Sequence, residues 1–238
     1  YPNAQSKLEE ASRKMPNDPQ VHYLLGKVYW ELDTKDKAVA RFKLAGFIAP
    51  RQPLYMGSLG IAYLNTKQYK KAADALALAL QMDSANADYK QAYGEARIQS
   101  DAAARSGGGP VETTDVTFKN VQQSQFKDLE AGGICEVYLK NGARQPVHQV
   151  KVTLMVDGFM NFPAEELLTS IPPGQARSVL LKGKMNQAAY DLKQDLSVLA
   201  EIQVTYFFNK RPFKETIYEP FLIKADLGSG AAAGALTP

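Results

Sequence analysis

A step of 34 residues recurs through the first hundred residues of the sequence, and it is clearest in the glycines. Gly26, Gly60 and Gly94 are separated by this step, and each follows a large side chain. Further ladders keep the same step: Ala4, Ala38 and Ala72; Ala11, Ala45 and Ala79; Leu8, Phe42 and Leu76; Tyr29 and Tyr63; Pro16 and Pro50. Self-similarity at a fixed period of about 34 residues is typical of a helical repeat array. The step therefore predicts stacked helices and an interaction role.

Each repeated unit is predicted to be two helices joined by a short turn. Asp18 and Pro19 mark the start of a first helix over 19–32, and a second helix runs over 37–49. The next unit repeats this over 53–64 and 69–82, and a polar helix over 87–100 caps the array. Turns are predicted at 34–36 and 65–67. A glycine inside a helix costs about 1 kcal/mol relative to alanine, so the glycine ladder indicates contacts that a side chain would block.

The residues at these steps resemble the tetratricopeptide repeat family. The pattern positions of the two units hold His22, Leu25, Gly26, Tyr29, Ala38, Phe42, Ala45 and Pro50, then Met56, Leu59, Gly60, Tyr63, Ala72, Leu76, Ala79 and Ser84. His22 and Met56 replace the usual Trp, and Ser84 replaces the terminal Pro. Residues 4–16 fit only the second helix of a preceding unit, so we expect further repeats before Tyr1. The resemblance implies an array over 1–104 that binds a protein or peptide partner.

The resemblance also implies that the first helix of each unit lines a concave groove. The candidate partner-binding residues on its outward stripe are Tyr23, Lys27, Trp30, Leu54, Ile61 and Leu64. The same stripe includes Gln20, Gly57, Asp88, Gln91, Glu95 and Ile98. Some family members grip acidic peptide ends with Lys, Asn and Arg at these places. Aromatic and aliphatic side chains dominate here, so an apolar or helical segment fits better. The alternative is that Trp30 and Leu64 pack against an upstream repeat or the following domain.

The hydrophobic period changes from about 3.6 to about 2 after the Gly-rich stretch at 106–110. Short alternating runs with turn signals between them predict six or seven strands over 113–226. They lie near Val116, Ile134, Val150, Leu167, Ala176, Leu196 and Pro212. The pattern predicts an all-β antiparallel sandwich and resembles the broad immunoglobulin-like or fibronectin-like class by pattern only. With a flexible linker over 105–112 and a disordered tail over 227–238, the fold class is multidomain α + β.

No group of side chains predicts catalysis, so we expect a non-enzymatic protein with no cofactor and no metal. His22 stands at a core position, and His148 is expected to be solvated. Neither has partners at metal-ligand spacing. Cys135 lies in an alternating strand and is predicted to be a buried thiol, while Glu165 and Glu166 are expected in a solvated loop. The net charge is +3 without a strong basic excess in either half, which argues against nucleic-acid binding. No apolar run is long enough for membrane insertion.

The favoured interpretation is an adaptor or scaffold in which the array binds one partner and the sandwich docks another. A second candidate contact lies on a basic hairpin tip at Lys210, Arg211 and Phe213. A loop with Phe159, Phe162 and Pro163 is a rival contact. Family analogy favours cell-envelope assembly and the periplasm, with the cytoplasm as the alternative. Two other hypotheses stay open: an accessory domain pair of a larger enzyme or secretion component, and a nucleic-acid or membrane-surface binder acting through the Lys210 tip.

Overall fold

The chain divides into two compact units, which we call the helical unit and the β unit. The structure, a computed structural model, describes residues 2–106 of the helical unit and residues 110–226 of the β unit. The tail predicted over 227–238 and the centre of the linker predicted over 105–112 lie outside the described residues. The predicted bounds of the two domains stay a prediction.

Six helices form the described part of the helical unit, and each packs on the next along the chain. They are α1 (Pro2–Lys14), α2 (Pro19–Glu31), α3 (Lys35–Ile48), α4 (Pro53–Asn65), α5 (Tyr69–Met82) and α6 (Ala87–Ser106). At the start of α2, the Asp18 carboxylate accepts hydrogen bonds from the backbone N–H groups of Gln20 (2.8 Å) and Val21 (3.3 Å). The predicted helical array is confirmed, and α6 continues six residues beyond its predicted end at Ser100.

The 34-residue step is also present in the backbone conformation. Asp33 and Lys67 occupy equivalent places after α2 and α4, with φ values of 56° and 62°. The N–H groups of the next residues, Thr34 and Gln68, donate to carbonyls in the last helical turn, both at 2.9 Å. A left-handed residue followed by such a bond ends a helix. The first turn therefore ends before α3 starts at Lys35, which corrects the prediction of a turn at 34–36.

Glycine allows the two helices of a unit to approach closely at Gly26 and Gly60. A Cβ atom added at Gly26 would lie 2.7 Å from Cε1 of Phe42, and one at Gly60 would lie 2.5 Å from Cγ of Leu76. The predicted blocking contact is thus confirmed at both positions. It is wrong at Gly94, where a Cβ atom would meet nothing within 4 Å. Among the described residues no further helix follows α6 in the array, so nothing covers this glycine.

Eight strands, two short α-helices and a 3-10 helix over Gln123–Gln125 form the described part of the β unit. The strands are β1 (Val111–Phe118), β2 (Val121–Gln122), β3 (Cys135–Asn141), β4 (Val147–Val156), β5 (Ala164–Ile171), β6 (Ala176–Leu181), β7 (Leu196–Phe208) and β8 (Arg211–Lys224), and the helices are α7 (Phe126–Gly132) and α8 (Gln187–Tyr190). One sheet has the order β1-β3-β6 and the other β2-β8-β7-β4-β5. All pairs are antiparallel except the two-residue pairing of β2 with β8.

The buried faces of the two sheets share one hydrophobic core. Val137 and Leu139 of β3 belong to the same cluster as Val152 and Leu154 of β4, and all four side chains are fully buried. The alternating pattern that predicted the strands therefore corresponds to residues facing this core. The predicted antiparallel β fold is confirmed, while its likeness to the immunoglobulin-like or fibronectin-like class stays a prediction.

His22 is a buried core residue of the helical unit, as predicted. Its side chain is 2% exposed, and its Nε2 atom lies 2.7 Å from the carbonyl oxygen of Pro16. Its Nδ1 atom faces the guanidinium of Arg41 at 3.5 Å. A neutral ring satisfies both neighbours, because Nε2–H donates to the carbonyl and Nδ1 accepts from Arg41. Burial, together with the positive charge of Arg41, lowers the pKa of His22 below its ordinary value.

We expect the helical unit to lose stability as the pH falls through the range in which histidine takes up a proton. The unfolded chain binds a proton at His22 near pH 6.5, whereas the folded chain binds it only at lower pH. The neutral ring of His22 therefore contributes to the free energy of unfolding above about pH 6.5. Below that pH the contribution is lost, at up to about 1.4 kcal/mol per pH unit. Urea unfolding, followed by Trp30 fluorescence at several pH values, measures it. His22→Gln should flatten the dependence and His148→Gln should not, since His148 lies on β4 of the β unit, outside the unit whose unfolding is measured. Equal pH dependence in wild type and His22→Gln would contradict the assignment.

Candidate partner-binding groove

An open pocket of about 200 Å³ lies between α2 and α4, the first helices of the two complete units. Four predicted groove residues line it: Tyr23, Lys27, Trp30 and Ile61. The other lining residues are Glu31, Phe42, Ser58, Ala62 and Asn65. The pocket therefore brings together the predicted stripes of two successive units, as the helical repeat implies for a shared groove.

Aromatic rings form one wall of this pocket. The Tyr23 ring lies between those of Phe42 and Tyr55, with centroids 5.9 and 5.5 Å away. Both Tyr23 and Trp30 are half-buried. Lysine ammonium groups stand over their faces, since Lys27 Nζ is 5.9 Å from the Tyr23 centroid and Lys35 Nζ is 5.9 Å from the Trp30 centroid. Such cation–π contacts orient the rings while leaving apolar surface open to the pocket.

Two predicted groove residues do not line the pocket. Leu54 is 46% exposed in the first turn of α4, and Leu64 packs against the core of the helical unit. On the capping helix α6, the predicted stripe of Asp88, Gln91, Glu95 and Ile98 is exposed. On α2, Gln20 is exposed as well. These positions stay predictions as partner contacts.

Gly57 was expected on the outward stripe, and this is wrong because it is buried. The phenol ring of Tyr89 lies directly on it, so that a Cβ atom at this position would overlap the ring. Gly57 is equivalent by the 34-residue step to Tyr23, and Tyr89 is equivalent to Tyr55. Two aromatic rings therefore meet at the first of these equivalent places, whereas at the second one ring packs on a glycine.

Sequence reasoning missed three pocket residues on α4: Ser58, Ala62 and Asn65. Together with Ile61 they follow helical spacing of i, i+3, i+4 and i+7, so they share one helix face. This spacing could have identified the pocket-lining face of α4, but small and polar side chains do not by themselves indicate a binding surface. Phe42 was assigned to the core of its unit, and its ring also forms the floor of the pocket.

The charges around the pocket are mixed. Lys27 and Glu31 stand one helical turn apart on α2 and both are exposed. Neither sign dominates, so the pocket lacks the concentrated positive charge that would grip an acidic peptide end. Its recognition chemistry is that of apolar contact with a polar rim.

The second predicted contact lies on the β unit at the hairpin joining β7 and β8. Asn209 and Lys210 form its two-residue turn with φ values of 50° and 61°, and Arg211 already belongs to β8. The Phe213 ring stacks on Tyr206 at a centroid distance of 5.3 Å and is 37% exposed. The three predicted residues are therefore adjacent in space at one tip.

The other side chains considered for catalysis or metal binding serve the packing and pairing of the β unit. Cys135 is fully buried, and burial, with the Glu219 and Glu136 carboxylates, raises the pKa of its thiol to about 12. Glu165 and Glu166 were expected in a loop, and this is wrong because both lie on β5, where the Glu165 carboxylate pairs with Lys151 at 2.8 Å. Within residues 2–106 and 110–226, no group of three or more His, Cys, Asp or Glu side chains could hold a metal ion.

Comparison with known proteins bears on the helical unit alone. A search of curated proteins found no match. None of the helices in the described part of the chain is both long and apolar enough to cross a membrane. Tetratricopeptide repeats serve protein–protein interaction and are generally non-catalytic. Residues 55–86, which cover most of α4, the turn after it and all of α5, match the tetratricopeptide repeat family, and this confirms the resemblance predicted for the helical unit.

Proposed function

We propose that this chain is a non-enzymatic adaptor whose helical unit binds an apolar segment of a protein partner in the pocket between α2 and α4. The observation that carries the proposal is the convergence of Tyr23, Trp30 and Ile61 on one open pocket. Tyr and Trp are the residues most often found at the energetic centre of protein interfaces. Here both side chains pack against the core of the helical unit on one side and remain half-exposed on the other.

The shape of the pocket favours a helical partner segment. The lining residues stand on two neighbouring helices, with Phe42 below them, so the surface is a shallow groove. An amphipathic helix places apolar side chains at i, i+3, i+4 and i+7 along one face and fits such a groove. One of these side chains would occupy the space beside Trp30 and Ile61. Leu54 and Leu64 would extend the contact along α4.

The mixed charge of the pocket rim determines how binding should respond to salt. Lys27 and Glu31 carry opposite charges, so moving from low to physiological ionic strength screens attraction and repulsion alike. Affinity in this groove should therefore change little with salt. This separates it from an electrostatic site, for which affinity falls steeply as salt rises.

The β unit would serve as a second docking module, with the tip at Lys210, Arg211 and Phe213 as its contact. An adaptor of this kind fits cell-envelope assembly and a periplasmic location, with a cytoplasmic location as the alternative. The competing proposal is an accessory domain pair of a larger enzyme or secretion component. A catalytic segment encoded in the same reading frame would favour that alternative.

Replacing Trp30 with alanine is expected to weaken groove binding by at least about tenfold, because it removes the largest apolar surface of the pocket. Helical peptides selected from a phage library on the wild-type chain supply defined ligands, and fluorescence anisotropy measures their affinities. Leu78→Ala is the matched control, since Leu78 is 47% exposed on α5 and does not line the pocket. Its affinities should stay within about twofold of wild type.

The same peptides test the choice of site. Ile61→Ala should also weaken them, whereas Lys210→Glu with Arg211→Glu should not, because that pair lies in the β unit. Circular dichroism confirms that each variant keeps its helices. Selected peptides that bind Trp30→Ala and Ile61→Ala as tightly as wild type would refute the groove.

A further inference from the structure

Charge is unevenly distributed in the β unit. Residues 110–226 hold 13 Lys and Arg and 14 Asp and Glu, so the unit is close to neutral as a whole. The strand register brings seven of the cations to the end where β3 turns into β4, β5 into β6 and β7 into β8. They are Lys140, Arg144, Lys151, Arg177, Lys210, Arg211 and Lys214. We call this the basic end.

Three acidic side chains of the described residues lie at the basic end: Glu112, Glu166 and Glu215. The rest of the unit therefore carries 6 cations and 11 acids, so it has a net negative charge, whereas the basic end has a net positive one. Glu215 accepts a hydrogen bond from Thr113 at 3.2 Å. Within residues 110–226, Arg144, Lys210 and Lys214 form no ion pair with any of these acids.

Hydrogen bonds fix the connections that carry these cations. Asn141 at the end of β3 is fully buried, and its amide nitrogen donates to the carbonyls of Gln145 (2.9 Å) and Ile171 (2.8 Å). Its main-chain N–H donates to Gln175 at 2.9 Å. The loops after β3 and β5 are thereby tied to one another, so the cations stand on an ordered surface.

Exposed aromatic rings accompany the cations at the β7–β8 tip. Phe207 is 44% exposed, pairs across β7 and β8 with Pro212, and lies beside His148 of β4. Phe213 adds a ring that is 37% exposed. The turn at 209–210 carries these side chains at the extremity of the longest hairpin in the unit.

We propose that the basic end docks the β unit on an anionic phospholipid surface. Clustered Lys and Arg side chains are attracted to anionic headgroups, and exposed aromatic rings are favoured at the membrane–water interface. The cations are spread over several strand ends and connections, which suits an extended layer of headgroups better than a small ligand. The remainder of the unit has a net negative charge and is repelled by the same anionic headgroups, so the basic end is expected to face the membrane.

A nucleic acid fits these observations less well. Binding to a duplex rests on an extended basic stripe in a domain with a clear excess of positive charge. The β unit has no such excess, and its basic end is a short cluster of cations next to apolar rings rather than an extended stripe. We therefore assign the surface to lipid and treat nucleic-acid binding as an outcome that would overturn the assignment.

Vesicle flotation with the full chain tests the proposal. Vesicles of phosphatidylcholine with about 30 mol% phosphatidylglycerol should bind the chain, and vesicles of phosphatidylcholine alone should bind it at least about tenfold more weakly. Lys210→Glu with Arg211→Glu should reduce binding to the anionic vesicles by at least about tenfold. The matched control is Lys182→Glu with Lys184→Glu, the same change of charge at the opposite end of the unit, where both lysines are exposed. It should change binding by less than about twofold.

Two further measurements separate the possible origins of binding. Phe207→Ser should weaken vesicle binding, because the ring sits in the interface, and should leave the affinity for heparin unchanged. If both double variants lost vesicle binding equally, binding would depend on the net charge of the chain and not on the basic end, and this would overturn the proposal. Tighter binding to a short DNA duplex than to the anionic vesicles would overturn it in favour of nucleic acid. Thermal unfolding of each variant verifies that the β unit is folded.

Discussion

Replacing Gly60 with alanine is expected to destabilise the helical unit by about 2 kcal/mol, although alanine is the better helix former. The new Cβ atom would lie 2.5 Å from Cγ and 3.1 Å from the backbone nitrogen of Leu76. Leu76 is fully buried in α5, so its side chain has no free space into which to move. The cost of overpacking therefore exceeds the gain in helix propensity.

Gly94 is the matched control, because it is the same residue type at the same step of the repeat. A Cβ atom there meets nothing within 4 Å. Gly94→Ala should therefore stabilise the unit by about 0.5–1 kcal/mol through helix propensity alone. Two identical substitutions at equivalent positions are thus expected to change the free energy of unfolding in opposite directions.

Urea unfolding monitored by circular dichroism in the helix band measures both changes. Trp30, the sole tryptophan of the chain, gives a second probe confined to the helical unit. A stabilised Gly60→Ala variant would show that α4 and α5 separate easily and that the close approach is not required. A destabilised Gly94→Ala variant would mean that α6 packs on a surface beyond the described residues.

The helical unit was predictable because each repeat position keeps one contact. Gly26 and Gly60 stand at a helix crossing where a side chain would clash, so the choice of glycine follows directly from the packing. Gly94 has the same letter without the contact, and Gly57 is buried by a residue 32 positions away. A single sequence does not distinguish a glycine that is packed from one that is open.

Half of the groove was predictable for a similar reason. Tyr23, Lys27, Trp30 and Ile61 were found because large side chains at helical spacing stand out on an outward face. Ser58, Ala62 and Asn65 line the same pocket with small or polar side chains, which signal exposure but not a ligand. Which of two adjacent stripes on α4 faces α2 depends on the rotation of the helix in the array.

The basic end of the β unit lay beyond sequence reasoning because it depends on strand register. Arg144, Arg177 and Lys210 are separated by more than 30 residues in each case and meet only through antiparallel pairing. The alternation within a short strand predicts which of its side chains are buried. Which strand ends lie close together depends on the order of the strands in the sheets, which alternation does not give. The helix α7 was missed because one buried pair, Phe126 and Leu129, is too short to define a period.

Asn141→Ala is expected to destabilise the β unit by about 3 kcal/mol, the largest effect that we predict for a single residue. The amide of Asn141 donates two hydrogen bonds, and its oxygen accepts one from the Ala143 N–H at 2.9 Å. Alanine leaves these partners unpaired, including the carbonyl of Ile171 in a buried contact. Asn141→Asp keeps the acceptor but turns a carboxylate toward two carbonyl oxygens, so it should be at least as destabilising.

Cys135 provides a selective readout for this change. It is the only cysteine of the chain and is fully buried in the β unit, so a thiol reagent labels it only when the unit opens. A loss of about 3 kcal/mol should raise the labelling rate by at least about a hundredfold, since each 1.4 kcal/mol is a factor of ten. Asn161→Ala, an exposed asparagine with one side-chain hydrogen bond, should raise it by less than about threefold. Unchanged labelling of Asn141→Ala would show that water replaces the lost hydrogen bonds and that the loops of the basic end are held by the strands alone.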